Sequence, residues 1–467
     1  MIEHLEFFIG GYMFLVLAIL MFTGLPVGFV LGGVAVAFGL FGIALDLTTT
    51  RDFYLFVERL WQGAAENPVL VSIPCFIFMG TMLERSQAAA DLLSCLNILL
   101  RRVPGGLALA VTGMGTIMAA TTGIIGASVV MMTMMALPKM LELHYDPRLA
   151  SGTIAASATL GILIPPSIML VVMADLMSIS VGNLFLGAVV PGLVLSSLYF
   201  IYISVFCFLK PSFAPRQESE LTSMQSLDII KMLLRGILPP AFLIFLVLGS
   251  IFGGWATPTE AAGVGAFGSI VLAIYKRKLN WQCLRDVCQR TSQTCSMVFF
   301  IFAGATSFSY VFRALYGEDL IIDFINWMNF GPWGFLYLVL LVVFLLGFFF
   351  DWLEITLIVL PVFAPIFVTL ADTFAVHVGA SELSSREAEL QVLYWIAILI
   401  AINLQTSFLT PPFGFALFYM KGVASKSLEM RQIYEGIIPF VLLQLVGLAT
   451  ILFWPAVALW LPKLLLN

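Results

Sequence analysis

The stretch TLGILIPPSIML, residues 159–170, places two adjacent prolines, Pro165 and Pro166, inside an apolar run that is long enough to cross a membrane. A proline in a helix interior costs roughly 3 kcal/mol, because it removes a backbone donor and clashes with the preceding turn. In lipid, such a break is tolerated only where protein surrounds it or where it lines a polar cavity. A second pair lies in LTPPFGFAL, residues 409–417. We therefore expect two broken helices that face a polar interior.

Composition indicates a membrane protein. Hydrophobic residues make up 61% of the sequence and charged residues 10%, with a mean hydropathy of +1.05, whereas soluble domains are about 45–50% apolar and about 25% charged. The alternating segments of ~10 residues that mark outer-membrane barrels do not occur in the sequence. Several apolar runs approach the ~20 residues that a helix needs to span a bilayer: 7–22, 184–209, 236–252 and 334–350. We expect an all-α polytopic protein of the lipid bilayer, with no nucleic acid as a partner.

The distribution of basic residues predicts the topology. Of the 22 lysines and arginines, 17 fall in five segments that the positive-inside rule assigns to the cytoplasm: 84–103, 139–148, 210–235, 275–291 and 421–435. This bias holds only if the stretches 104–138 and 334–370 each enter and leave the membrane on one side. The first is basic at both ends, and the second has a polar centre, DWLEIT (351–356), between acidic flanks. We predict two re-entrant helical hairpins; the alternative is that each stretch is two ordinary spans joined by a tight turn.

Each half of the chain then has five crossings besides its hairpin. The expected crossings are 7–23, 25–44, 67–83, 149–178 and 184–209, followed by 236–252, 257–275, 292–312, 390–420 and 436–461. An odd number of crossings inserts the second half upside down, which is the inverted-repeat construction of secondary transporters. We predict a first repeat over 1–210, a cytoplasmic linker over 211–235 and a second repeat over 236–467, with both termini on the outer side.

Polar groups cluster at the two breaks and at the two hairpin centres. A broken helix frees carbonyl oxygens, which together with hydroxyls suit a small hard cation, and its half-helix N-termini suit a carboxylate. A single proline merely shapes packing, whereas two double prolines that each follow a hairpin favour ion sites. Carboxylates within or near spans support this interpretation, because charges there are costly and usually functional: Asp175, Glu260, Asp351 and Glu354. No lysine or arginine is expected deep in a span.

Four blocks together resemble the large membrane subunit of tripartite ATP-independent periplasmic (TRAP) transporters. They are LASGTIAASATLGILIPPS (149–167), TPTEA (257–261), LLGFFFDWLEI (345–355) and TSFLTPPFGFALF (406–418). The resemblance implies a sodium-driven symporter of the bacterial inner membrane with an elevator mechanism and periplasmic termini. It also implies two partners, a small four-helix membrane subunit and a periplasmic substrate-binding protein, and a small organic anion as substrate, such as a carboxylate or sugar acid.

The resemblance further implies two sodium sites with the substrate between them, and no cofactor. The first site, at the first hairpin tip and the first break, comprises Thr121, Thr122, Gly123, Ser128, Ile164 and Ser167. The second site comprises Asp351, Thr356, Thr406, Ser407 and Thr410. Residues expected to face the substrate are Pro166, Pro412, Ser167 and Asp175.

Two other classes of protein are alternatives to this interpretation. A stand-alone sodium- or proton-coupled carrier of the divalent-anion or arsenite type shares hairpins and broken helices but needs no binding protein. An intramembrane enzyme is disfavoured, because the sequence has no HExxH motif and all three histidines lie in expected loops.

Overall fold

A computed structural model describes residues 2–122, 125–215, 236–327, 331–411, 414–424 and 428–466. These residues form α-helices with short 3-10 and π segments, and they contain no strand. The helices before residue 216 are α1 (Ile2–Met21), α2 (Val27–Ala44), α3 (Thr50–Leu60), α4 (Ser72–Arg85), α5 (Ala88–Leu100), α6 (Gly106–Thr122), α7 (Ile125–Glu142), α8 (Pro147–Thr159), α9 (Ile168–Leu176) and α10 (Val181–Leu209). Those that follow are α11 (Leu238–Phe252), α12 (Pro258–Tyr275), α13 (Trp281–Ala314), α14 (Gly317–Trp327), α15 (Pro332–Leu346), α16 (Trp352–Thr369), α17 (Ala371–Ala375), α18 (Ser385–Ser407), α19 (Phe415–Val423), α20 (Met430–Phe453) and α21 (Ala456–Leu466).

Within the described part of the chain, eight helices are long and apolar enough to cross a membrane. They are α2, α7, α10, α12, α13, α16, α18 and α20. The structure is therefore that of the all-helical, multi-pass membrane protein predicted from composition. Two of the eight, α7 and α16, are the second arms of the expected hairpins.

Three segments differ from the expected boundaries. The crossing predicted over 436–461 is wrong as a single helix, because α20 ends at Phe453 and a separate helix, α21, begins after Pro455. The crossing predicted over 292–312 starts eleven residues earlier, at Trp281, where the Asn280 side chain accepts a hydrogen bond from the Cys283 backbone N–H at 2.7 Å. Helix α3 and the π segment Trp61–Ala65 were not expected at all.

Both predicted hairpins consist of two helices, and in each hairpin the helix ends far from the turn lie close to each other. At the first, the backbone N–H of Leu107, in the first turn of α6, donates to the Tyr145 hydroxyl just beyond α7 at 3.2 Å. At the second, the ring of Trp333, at the start of α15, lies 5.2 Å from Phe374 and 4.8 Å from His377, which follow α16. Each pair of arms therefore starts and finishes on one side of the molecule.

The segments rich in lysine and arginine lie together on what we call the basic face, defined by residues 84–91, 143–148, 211–213 and 276–290. Ion pairs cross it between Lys276 and Asp91 at 2.6 Å and between Arg85 and Asp286 at 3.5 Å. The Asp146 backbone N–H donates to the Phe213 carbonyl at 2.9 Å. These contacts join segment 84–103 to segment 275–291 and segment 139–148 to segment 210–235. An ion pair between Arg148 and Glu435 at 3.0 Å adds the fifth basic segment, 421–435.

The acidic face, defined by residues 45–68, 175–180, 313–318 and 371–389, carries the other set of loops. There the Asn67 amide donates to the Asp175 carboxylate at 2.7 Å, and the Thr259 hydroxyl donates to the Pro68 carbonyl at 2.9 Å. These bonds tie the segment before α4 to the end of α9 and to the start of α12.

Candidate ion sites at the two broken helices

The first break lies between α8 and α9. After α8 the chain makes one 3-10 turn, Leu160–Ile162, and helix resumes only at Ile168; the Pro165–Pro166 peptide bond is cis. Pro166 has no N–H to donate to the carbonyl four residues earlier, that of Ile162. The buried Ser167 hydroxyl donates to that carbonyl instead, at 2.7 Å. A side chain thus satisfies a backbone oxygen that the proline has released.

The second break lies between α18 and α19, and hydroxyls line its first side. Thr406 donates to the Ile402 carbonyl at 2.9 Å, Ser407 to Leu404 at 2.8 Å and Thr410 to Thr406 at 2.8 Å. Thr406 and Ser407 are fully buried. Since each hydroxyl gives its single proton to a carbonyl, the lone pairs of its oxygen stay available as acceptors. This arrangement suits a cation better than an anion.

The second hairpin turns at Gly347–Asp351, and the expected polar centre forms the first turn of α16. The Asp351 side chain caps this helix by accepting the Trp352 backbone N–H at 2.8 Å. Glu354 completes a capping box by accepting the Asp351 backbone N–H at 3.3 Å. The buried Thr356 hydroxyl donates to the Trp352 carbonyl at 2.6 Å. Two carboxylates and a hydroxyl therefore occupy one helix N-terminus, where negative charge is favoured.

Gly347 brings the second hairpin into direct contact with the second break. A Cβ added to Gly347 would lie 1.9 Å from the Ser407 Oγ and 2.6 Å from the Ser407 Cβ. The backbone at the hairpin turn therefore lies against the helix that ends at Ser407. The predicted partners at this site, hairpin tip and broken helix, are neighbours in the structure.

The first site is described less completely. Thr121 and Thr122 end α6, but their side chains, and Gly123 as a whole, lie outside the described residues, as does Pro412 at the second break. Ser128 is buried in the first turn of α7. Ile164 lies in the break against α10, where an added Cβ on Gly192 would lie 2.7 Å from the Ile164 Cγ1.

Asp175 lies at the end of α9, on the acidic face and away from the break. It lines a cavity of about 840 Å³ together with Arg59 and Arg313. Neither arginine was singled out from the sequence, because Arg313 lies just beyond an expected span and Arg59 in an expected loop. A basic side chain just beyond a long apolar run is the one available signal, and it applies to Arg313 alone.

Comparisons with known proteins agree with the geometry. Residues 14–457 match the family described as "Tripartite ATP-independent periplasmic transporter, DctM component". The chain belongs to this family. It is 30% identical to the C4-dicarboxylate TRAP transporter large permease protein DctM of Pseudomonas aeruginosa, over 85% of this chain and 87% of the relative. It is 25% identical to the sialic acid TRAP transporter large permease protein SiaM of Vibrio cholerae, over 96% and 97%.

A solved structure shares the fold of this TRAP large permease. The YdaH transporter of Alcanivorax borkumensis superposes with a TM-score of 0.56 at 14% sequence identity, covering 88% of both chains. The family and its relatives are transporter subunits, which agrees with the prediction that the chain is not an enzyme.

The permease also places Tyr419, a residue that the sequence reasoning missed, beside both hairpins. A Cβ added to Gly126, next to the first tip, would lie 2.9 Å from the Tyr419 Cζ. Tyr419 also lines a cavity together with Phe348 and Phe349 of the second hairpin turn. Tyr419 lies in a largely apolar helix, two residues before Lys421, and a single tyrosine in such a helix carries no signal that would select it from sequence.

Proposed function

We propose that this permease drives the sodium-coupled uptake of a small organic anion across the bacterial inner membrane. A periplasmic substrate-binding protein would deliver the anion, and a small four-helix membrane subunit would complete the tripartite assembly, as the names of the relatives suggest. Family membership favours this assembly over the stand-alone divalent-anion carrier. With the basic face in the cytoplasm, both termini are periplasmic.

Contacts between corresponding elements support the inverted repeat over 1–210 and 236–467. The two double-proline motifs are offset by 246 residues, and positions with that same offset, Thr159 and Gln405, are hydrogen-bonded at 3.4 Å. Two positions related by a two-fold axis contact each other only close to that axis. A two-fold axis that relates the halves maps α2 onto α12, α4 onto α13, α7 onto α16 and α9 onto α19. The helix contacts follow this mapping, because α2 packs on α13 and α12 on α4, while α16 packs on α9 and α7 on α19.

Each of the two hairpins contacts its own broken helix. In the first half, a Cβ on Gly115 of α6 would lie 2.8 Å from the Ser157 Cβ, and in the second half Gly347 lies against Ser407. Each hairpin thus docks on a serine in the helix that precedes its break. A hairpin fitted this closely to its broken helix is expected to move with it as one body, as an elevator mechanism requires.

The observation that carries the proposal is the chemistry of the second break. Its oxygens belong to buried hydroxyls whose protons are already given to backbone carbonyls, and a carboxylate, Asp351, lies at the hairpin turn that packs against them. Hard cations take oxygen ligands of this kind. We assign Asp351, Thr356, Thr406, Ser407 and Thr410 to one sodium site.

The test measures the thermal midpoint of the purified permease as sodium replaces potassium at constant ionic strength. A ligand that binds only the folded state adds about 2.7 kcal/mol at a hundredfold excess over its dissociation constant. Asp351→Asn keeps a good N-cap but removes the charge, and Thr406→Val removes a ligand; both should reduce the sodium-specific rise.

Thr450→Val is the matched control. The exposed Thr450 hydroxyl donates to the Val446 carbonyl at 2.7 Å, so this variant loses the same kind of backbone bond as Thr406→Val. The control should keep the full sodium response. Equal midpoints in sodium and potassium would refute sodium coupling, and an unchanged sodium response in both site variants would refute the assignment of the residues.

A further inference from the structure

The cavity on the acidic face has the size and lining of a small-molecule site. Its volume is about 840 Å³, within the range of about 300–1,000 Å³ that is usual for such sites. One wall is formed by α13 and the segment from α3 to Asn67, and the other by the end of α9 and the middle of α16. Hydroxyl and amide side chains, including Thr306 and Gln62, lie between its charged groups.

This cavity is separate from the two proposed ion sites but shares their helices. Leu357, which lines it, is six residues beyond Asp351 on α16, or about 9 Å along the helix axis. Asp175 is eight residues beyond Ser167 on α9, or about 12 Å. A molecule in the cavity would therefore lie on the acidic-face side of both broken-helix sites.

The charged side chains that line the cavity differ in how many bonding partners they have. Arg313 is engaged twice, since its Nε lies 2.8 Å from the Glu318 carboxylate and its Nη2 donates to the Pro361 carbonyl at 2.7 Å. Arg59 forms no hydrogen bond or ion pair with any residue that the structure describes. Asp175 presents a carboxylate that Asn67 holds through one oxygen.

We propose that this cavity is an entry site for a small monocarboxylate whose other end carries hydrogen-bond donors, such as hydroxyl groups. The carboxylate pairs with Arg59, which is the guanidinium left without a counter-charge, and the donors face Asp175. That the molecule enters from the periplasm rests on the proposed function, because the acidic face is the periplasmic side only in that topology.

The charge count selects one carboxylate over two. A single unpaired guanidinium balances a single negative charge, and a second carboxylate would lie in the same cavity as the Asp175 carboxylate. Like charges that approach in a partly desolvated site are strongly unfavourable. A dicarboxylate should therefore bind more weakly here than a hydroxylated monocarboxylate.

Residue-resolved modification of arginines by phenylglyoxal, read by mass spectrometry on the purified permease, tests the proposal without transport or sodium. The probes are gluconate, a polyhydroxy monocarboxylate, and sorbitol, its neutral counterpart. Gluconate should slow the modification of Arg59 and Arg313 in a saturable manner, and sorbitol should not. Arg51, on the same helix as Arg59 but outside the cavity lining, is the internal control and should react at one rate throughout.

Variants then separate the roles of the charges. Arg59→Gln should abolish the protection of Arg313 by gluconate, whereas Arg51→Gln should keep it. Succinate should protect Arg59 less well than gluconate, and Asp175→Asn should bring the two probes to equal protection.

Equal modification rates with and without gluconate, or undiminished protection of Arg313 in Arg59→Gln, would overturn the site. Because the readout needs neither ion nor uptake, loss of sodium stabilisation with intact protection would count against the proposed function alone. Intact sodium stabilisation without protection would count against the entry site alone.

Discussion

The contact between Gly347 and Ser407 provides a direct test of how the second hairpin docks on its broken helix. The change is Gly347→Ala. Gly347 follows α15 with φ −66° and ψ −7°, a conformation that alanine adopts without strain. The backbone therefore does not oppose the substitution, and any penalty comes from the new Cβ.

The expected penalty follows from the atoms that the Cβ would meet. The Ser407 Oγ, at 1.9 Å, can rotate away only by losing its hydrogen bond to the Leu404 carbonyl, which is worth about 1 kcal/mol. The Ser407 Cβ, at 2.6 Å, cannot rotate away, so α15 and α18 must separate. Overpacking of this kind costs typically about 1–3 kcal/mol. Together with the lost hydrogen bond it should exceed the gain that alanine brings over glycine, which is at most about 1 kcal/mol even in the middle of a helix.

The assay is a double-mutant cycle on the free energy of unfolding, with Gly347→Ala, Ser407→Gly and the double variant. Ser407→Gly removes both atoms that the new Cβ would meet, so the double variant should recover most of the loss caused by Gly347→Ala. Gly33→Ala is the matched control, because nothing lies within 4 Å of its added Cβ. Gly347→Ala should also reduce the sodium-specific rise in thermal midpoint, since it displaces a proposed ligand.

Two results would refute this reasoning. If Gly347→Ala were as stable as Gly33→Ala, the hairpin would not be docked on Ser407 at all. If the penalties of the two single variants simply added in the double variant, the cost would arise somewhere other than this contact.

Two further changes test buried polar groups elsewhere in the bundle and on the basic face. Tyr199→Phe should change the free energy of unfolding by less than about 1 kcal/mol, because the fully buried Tyr199 hydroxyl lies beside the amides of Gln405 and Gln444 without a hydrogen bond of normal geometry. A loss of more than about 1 kcal/mol in chemical denaturation would contradict this. Lys276→Met should lower it by about 1–2 kcal/mol, since Lys276 is largely buried in its pair with Asp91. Lys139→Met, which breaks the exposed pair of Lys139 with Glu142 on one helix, should change the free energy of unfolding by less than about 0.5 kcal/mol. Equal effects of the two lysine variants would show that burial does not strengthen the pair of Lys276 with Asp91.

The breaks and hairpins were predictable because their causes are local. A proline pair interrupts a helix whatever surrounds it, and basic residues at both ends of a stretch bring both ends to one face. The position of the second hairpin turn was also readable, since Asp351 and Glu354 have the spacing of a capping box. That pattern places the DWLEIT motif at a helix start, and not at the middle of a turn.

The extent of α13 could not be predicted, because distant residues stabilise its first three turns. This segment is polar and resembles a separate interfacial helix by its sequence. In the structure, Asp286 pairs with Arg85 at 3.5 Å, and Arg290 pairs with Glu84 at 3.5 Å. Partners some 200 residues away hold the segment in line with the apolar helix that follows.

The cavity on the acidic face, with its two arginines, could not be predicted for the same reason. Arg313 is paired with Glu318, five residues along the chain, but its second bond is to Pro361, on the hairpin. The sequence around Arg313 does not indicate that its guanidinium, at the end of a span, lines a cavity. Long-range packing decides which of the two arginines that line the cavity has no ion pair with a described residue, and that arginine is Arg59.

The proposed sodium sites differ in charge, and this difference has a consequence for coupling. The second set includes the Asp351 carboxylate, whereas every residue proposed for the first set is neutral: Thr121, Thr122, Gly123, Ser128, Ile164 and Ser167. A cation held by hydroxyl and carbonyl oxygens alone keeps its full charge inside the bundle, where an unbalanced charge is costly. A bound substrate carboxylate lowers that cost at the first site, while at the second site Asp351 already does so. We therefore expect the substrate to raise sodium affinity mainly at the first site, and by the same factor that sodium there raises the affinity for substrate.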